Sequence, residues 1–308
     1  MKPYLEPLLL VLAIVAGSLV GMFTSLEASW ADYFILAMLF FLFYNISWES
    51  FFKGIRNRKY IIIALLTNFL LIPLLAYFLA YVFVDASSAI FIGLIIYLVA
   101  PCTDWFLGFT KLAQGDVVIN SALLPINLFL QILLLPVYLY AFTSNETSIA
   151  YEAFFEVFIY WVVLPFALAQ FARFLVSKSR PQLLERSSSF AEVLVLISLI
   201  LLVFSMFSAN VESLMANTAV LPNVLFVILI FFLATFFIAR LISRSSGFSK
   251  QEEVSLTMTT AARNAPLMLV VSFIFFPQEP VIQLVLVIGI LVEFPHLITI
   301  TYLLKRQA

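Results

Sequence analysis

Three observations predict an all-α polytopic membrane protein, with ten transmembrane helices in two inverted five-helix repeats. Of the 308 residues, 64% are hydrophobic and only 11% are charged, outside the range of water-soluble domains. Apolar runs of ~20 residues, the length a helix needs to cross a bilayer, recur along the whole chain. All 16 Lys and Arg residues except Arg263 fall in alternate loops, on one side of the expected membrane. No polar stretch is long enough to hold a soluble core. One cysteine excludes a disulfide framework, and one histidine excludes a histidine-rich metal site.

Taken in order, the spans are expected near 7–26, 31–50, 60–84, 88–111, 117–142, 153–176, 190–209, 219–242, 254–276 and 281–304. The apolar run 8–20 resembles a signal peptide, but removing it would break the charge alternation, so it is taken as the first span. Lys2 precedes that span, and Lys53, Arg56, Arg58 and Lys59 follow the second. Lys111 closes the fourth; Arg173, Lys178, Arg180 and Arg186 lie at or after the end of the sixth. Arg240, Arg244 and Lys250 follow the eighth, and Lys305 and Arg306 the tenth. The opposite loops hold Glu27, Asp32, Asp85, Asn145, Glu146, Glu212 and Glu279. By the positive-inside rule both termini are expected in the cytoplasm of a multi-pass plasma-membrane protein.

Gly115-Asp116 reads as a turn and N-cap opening the fifth span. Pro73, Pro136 and Pro165 read as ordinary kinks, residues 177–189 as a basic solvated connector, and Asn145-Glu146-Thr147 as a bare glycosylation sequon. The ten spans divide as five plus five, residues 1–148 and 149–308, and an odd number per half makes any repeat inverted. The fourth span is interrupted at Ala100-Pro101-Cys102-Thr103-Asp104, and the corresponding ninth at Ala262-Arg263-Asn264-Ala265-Pro266. Proline lacks a donor and turns its predecessor away from helix, so Pro101 and Pro266 are expected helix breaks. Freed backbone groups at membrane depth are tolerated only inside protein or a wet cavity. Paired breaks in matching spans of two halves point to a transporter binding site.

Charges inside spans cost about 2.5–3.5 kcal/mol each on insertion scales and are usually functional or paired. Asp104, Arg263 and Glu293 are the three that stand out. Asp104 and Arg263 lie at the two breaks. They read either as a salt bridge tying the broken helices, or as a proton carrier beside a cation that holds an anionic substrate. Cys102 is either an apolar filler or a soft ligand for a thiophilic species. Glu293 and His296 have the spacing of half a di-metal carboxylate site, but no second histidine exists, so a proton or pathway role for Glu293 is expected instead. Pro295 between them is expected to loosen the tenth helix.

Ala100-Pro101-Cys102-Thr103, followed by Lys111-Leu112-Ala113-Gln114-Gly115-Asp116, resembles the fourth-span signature of arsenite efflux permeases. These form a branch of the bile acid:sodium symporter family, within the bile/arsenite/riboflavin transporter superfamily. Gly289-Ile290-Leu291-Val292-Glu293-Phe294-Pro295 resembles their tenth-span Gly-Pro-Leu-Val-Glu-Val-Pro segment. The resemblance implies panel and core domains with broken, crossing fourth and ninth helices, and alternating access. It also implies that Cys102 matches the cysteine these permeases need. The chain departs from the branch at the ninth-span break, where Asn-Asn-Phe-Glu is usual and a functional glutamate is missing here. Sodium-coupled relatives carry acidic and amide side chains at that place, whereas this chain has a guanidinium.

The expected function is therefore secondary active transport, exporting arsenite or a related small solute in exchange for protons. Cys102, Thr103, Arg263 and Asn264 would bind substrate, and Asp104 and Glu293 would handle the coupling ion. A sodium-coupled symporter of an organic anion is the second reading. An intramembrane enzyme with Cys102 as nucleophile and His296 as base is a remote third. Apart from a proton or sodium as coupling ion, no cofactor is expected. The expected partners are a small-molecule or small-anion substrate and the lipid bilayer, with no nucleic acid; the oligomeric state is left open.

Overall fold

The computed structural model describes residues 5–24, 30–46, 48, 52, 55–103, 105–143, 159–216 and 221–305. Among these, twelve helices follow one another: α1 (Leu5–Gly21), α2 (Trp30–Tyr44), α3 (Arg58–Phe83), α4 (Ala89–Val99), α5 (Phe106–Leu112), α6 (Val117–Phe142), α7 (Ile159–Ser179), α8 (Leu184–Ala216), α9 (Leu221–Ser245), α10 (Lys250–Ala261), α11 (Ala265–Phe275) and α12 (Pro280–Lys305). Six of the described helices, α3, α6, α7, α8, α9 and α12, are long and apolar enough to cross a membrane unaided. The protein is an all-helical polytopic membrane protein. The sequon at Asn145 and the carboxylate of Asp104 lie outside the described residues.

The chain forms two compact units, residues 1–46 with 149–216, and residues 47–148 with 217–308. In the first, α8 packs along both α1 and α2. Lipid tails are as apolar as leucine, so helices in a bilayer associate through close packing and polar contacts. Gly17 and Gly21, one turn apart on α1, supply the close approach. A Cβ on either would stand 2.5 Å from a backbone carbonyl of α8, that of Phe204 or of Ser208. Gly17→Leu is thus expected to cost roughly 1–3 kcal/mol by overpacking. It should lower the unfolding temperature of the purified protein in detergent; an unchanged unfolding temperature would show that α1 does not need this contact. At the far end of α2, Gln170 and Arg173 of α7 donate to the carbonyls of Phe43 and Tyr44, at 2.7 and 2.9 Å. Those carbonyls belong to the last turn of α2 and have no partner within the helix.

The second unit carries both interrupted spans. Asn57 opens α3, accepting from the Tyr60 amide at 3.2 Å and donating to Glu252 Oε1 at 2.7 Å. Glu252 also closes a capping box with Ser249 at the start of α10. Burial there would raise its pKa, but the bonds from Ser249 and Asn57 and the charge of Lys59 outweigh it and hold the carboxyl below its usual value. Asp116 caps α6 by accepting from Val118 and Ile119 at 2.9 and 3.2 Å, as the Gly115-Asp116 pair suggested. The Asp116 amide donates in turn to Ser255 Oγ of α10 at 2.7 Å. Tyr60, Ala64, Leu123, Ala239 and Leu256 pack into one cluster beneath these caps.

Two sequence expectations need revision. Pro73 and Pro165 are not simple kinks, because each follows a π-helical turn, Thr67–Leu71 and Ile159–Val163. A proline cannot donate and clashes with the carbonyl four residues back, and widening the preceding turn accommodates both effects. The stretch 177–189 is mostly helical: α7 runs to Ser179, a 3₁₀ turn covers Pro181–Leu183, and α8 starts at Leu184.

Candidate functional site

Both interruptions lie in the second unit, and their backbones pair. α4 ends at Val99, and Ala100 is extended (φ −95°, ψ 108°), the conformation a following proline imposes. α10 ends at Ala261, and Ala262 is likewise extended (φ −79°, ψ 138°). Pro101 and Arg263 form an antiparallel bridge. The Cys102 amide donates to the Ala262 carbonyl at 3.0 Å, and the Asn264 amide to the Ala100 carbonyl at 2.9 Å. Each break thereby satisfies backbone groups that the other frees, which is what a broken helix at membrane depth requires. Pro266 proves to start a helix: it sits in the first turn of α11, where a missing N–H costs nothing.

Arg263 is completely buried. Its guanidinium donates to the carbonyls of Leu98, at 3.0 Å, and of Thr259 and Thr260. These carbonyls belong to the last turns of α4 and α10, where two helix dipoles present negative ends. The guanidinium also lies 5.5 Å from the centre of the Phe231 ring on α9. A tethered cation thus occupies the meeting point of two carbonyl-rich helix ends.

Glu293 joins the same site from α12. Its Oε1 accepts from the Arg263 amide at 2.8 Å and from Trp105 Nε1 at 3.0 Å. One carboxylate oxygen therefore holds both breaks, Arg263 in the second and Trp105 at the threshold of α5. Asn264 caps α11 through the Leu267 amide and donates through Nδ2 to Thr103 Oγ1 at 2.7 Å. Cys102 is buried. The structure thus gathers Cys102, Thr103, Arg263, Asn264 and Glu293. Asp104, sited in the same break by sequence, lies outside the described residues.

α12 runs unbroken through Pro295, so the expected loosening at that position is absent. A proline removes one N–H, and the flanking turns hold, with Thr299 Oγ1 donating to the Pro295 carbonyl at 2.8 Å. His296 stacks flat on Phe232, with ring centres 4.1 Å apart. Close approach of α4 and α12 at Gly93 and Gly289 presses the two elements together. A Cβ on Gly289 would fall 2.5 Å from the Tyr97 ring, whose hydroxyl donates to the Gly289 carbonyl at 3.0 Å.

Beside the crossing lies a polar group that span counting passes over. Asn68, within the π turn of α3, and Asn127 of α6 both donate to Thr259 Oγ1, at 3.2 and 3.5 Å. All three are fully buried. Trp105 also carried no mark in the sequence, although an indole N–H at membrane depth needs an acceptor. That need, set beside Glu293, was the available signal.

Two comparisons with known proteins bear on the family of the chain. The model of the Sodium Bile acid symporter family matches residues 33–217. The arsenical-resistance protein Acr3 of Corynebacterium glutamicum is 24% identical over 267 residues, covering 81% of this chain and 71% of that protein. The family match spans more than half of a chain whose helices form a membrane protein with paired helix breaks. The chain belongs to the sodium/bile acid symporter family of membrane transporters.

Proposed function

We propose that this transporter is of the arsenite-permease type, exporting arsenite or a related small thiophilic solute by proton-coupled alternating access. The observation that carries the proposal is the Arg263 guanidinium on the carbonyls of Leu98, Thr259 and Thr260. Unwound carbonyls and half-helix C-terminal ends are where transporters of this architecture coordinate sodium. A fixed cation on those carbonyls leaves a proton as the better coupling ion. Glu293 suits that role: protonating its carboxylate weakens the bonds it accepts from Arg263 and Trp105 and so changes the hold on both breaks at once. Asp104, next to Thr103, is proposed as a second proton-handling group. Cys102 supplies a soft ligand, and Thr103 and Asn264 supply hydrogen bonds around it.

In this reading α4 with α5 forms the fourth span and α10 with α11 the ninth, so the twelve described helices make ten spans. Residues 1–148 and 149–308 are the two inverted repeats. The unit that holds both breaks is the moving core, and both termini face the cytoplasm across the plasma membrane. No enzymatic role is proposed: the remote pairing of Cys102 with His296 gains nothing from an imidazole stacked on Phe232. The family match favours a second reading, a sodium-coupled symporter of an organic anion held on Arg263. Flux into proteoliposomes separates the two. Arsenite movement driven by an imposed pH gradient and indifferent to sodium is expected. Uptake of an organic anion driven by a sodium gradient, with no arsenite flux, would replace the first reading by the second.

A further inference from the structure

The basic end of α9 carries a feature that transport at the crossing does not use. Leu229, Leu233, Phe237 and Leu241 recur every four residues and are each more than half exposed. Such a stripe on a membrane helix faces acyl chains. It runs into an open groove of about 380 Å³ on the helix surface, lined by Phe237, Arg240, Leu241 and Arg244. At 1.5 Å per residue, Arg240 stands about 29 Å from the start of the helix at Leu221, close to the ~30 Å thickness of a hydrocarbon core. The arginines therefore fall at headgroup depth, directly beyond the apolar stripe.

The charges are built into the fold. Arg240 Nε donates to Glu253 Oε1 of α10 at 3.0 Å, and its guanidinium lies 5.4 Å from the centre of the Phe236 ring. Lys250 approaches the same carboxylate at 3.9 Å. One carboxylate thus serves two cations, while Arg244, one turn beyond Arg240, is exposed. Arg244 is not needed to cap the helix. The Phe248 amide bonds the Ser243 carbonyl at 3.0 Å, and Gly247 in the left-handed region (φ 66°) closes the end of α9.

We infer that this groove binds an anionic phospholipid, its headgroup phosphate on Arg244 and Arg240 and its acyl chains along Leu241, Phe237 and Leu233. Positive charge at headgroup depth meets the phosphate, and the adjoining apolar stripe gives the chains a surface that a free phosphate would not use. The inference does not depend on what the crossing transports.

Native mass spectrometry of the full-length protein in detergent tests it, with phosphatidylglycerol, phosphatidylcholine and inorganic phosphate as probes. Phosphatidylglycerol retained in preference to phosphatidylcholine is expected. Arg244→Gln should weaken that retention roughly five-fold, the effect of one basic residue near an anionic surface. Arg180→Gln, which alters an exposed cation in the other unit, should leave it unchanged. Arg244→Gln keeps the Arg240–Glu253 pair, so a monodisperse elution profile identifies it as folded; Arg244→Lys should restore most of the retention if that variant aggregates. Equal retention of the two lipids, equal loss in Arg180→Gln, or an intact affinity in folded Arg244→Gln would overturn the site. Binding of inorganic phosphate with the same Arg244 dependence, and no lipid preference, would overturn the lipid as its occupant.

Discussion

Cys102→Ser is expected to return an arsenite-sensitive host to the tolerance it has without the transporter, with the protein still present at its normal abundance. The substitution exchanges one side-chain atom and leaves the backbone that holds the crossing in place. The Cys102 amide still donates to the Ala262 carbonyl, and the Asn264 amide to Ala100. What is lost is a polarisable sulfur, which binds soft, thiophilic species far better than a hydroxyl oxygen does. Serine also places a hydroxyl in a fully buried position, and taking a hydroxyl out of water carries a desolvation cost that a thiol does not. Cys102→Ala separates the two effects, since it removes the sulfur without adding a polar group. Both variants should lose arsenite flux in proteoliposomes. Flux retained in either one, with arsenite as the only solute, would remove the thiol from the binding site and leave Thr103, Asn264 and Arg263 to carry recognition.

The two breaks were legible because proline and charge are rare at membrane depth and their consequences are local. Pro101 stops a helix whatever surrounds it, and Arg263 and Glu293 must find partners wherever the fold puts them. Which partners they find is a long-range matter. The sequence suggested Asp104 as the counterpart of Arg263, because the two breaks carry those charges. Asp104 lies outside the described residues; among those described, the guanidinium takes carbonyls of Leu98, Thr259 and Thr260, groups that every residue possesses and no sequence pattern marks. The binding of Trp105 and Arg263 to one oxygen of Glu293 depends on where α12 crosses both breaks, which periodicity does not encode. Proline also misled where its neighbourhood could absorb it: Pro295 stays inside a continuous helix. Gly17, Gly21, Gly93 and Gly289 have the same character. Each is a single residue in an apolar run, and its meaning comes from the backbone or ring that lies against it.

Replacing Arg263 with glutamine is expected both to destabilise the protein and to create a sodium response that the parent lacks. The guanidinium is fully buried and serves three carbonyls, with a fourth contact to the face of Phe231. Charged hydrogen bonds of this kind contribute about 1.5–3 kcal/mol each, and glutamine can replace at most two of them. A loss on the order of 3 kcal/mol should therefore appear as a lower unfolding temperature. The vacated carbonyls at the ends of α4 and α10 are oxygen donors with the negative sign of two helix dipoles, the environment that coordinates a small hard cation. A cation that binds only the folded protein raises its stability in proportion to the logarithm of its concentration. Sodium chloride, compared with choline chloride at equal ionic strength, should thus raise the unfolding temperature of Arg263→Gln and leave the parent unchanged. Arg263→Lys keeps the charge without the planar fork, so it should be intermediate in stability and indifferent to sodium. A parent protein stabilised by sodium would place a free cation elsewhere in the core and favour the sodium-coupled reading. The double variant Asp104→Asn with Arg263→Gln addresses the remaining pairing: recovery of flux lost in either single variant would make the two residues structural partners. Failure to recover gives them separate roles.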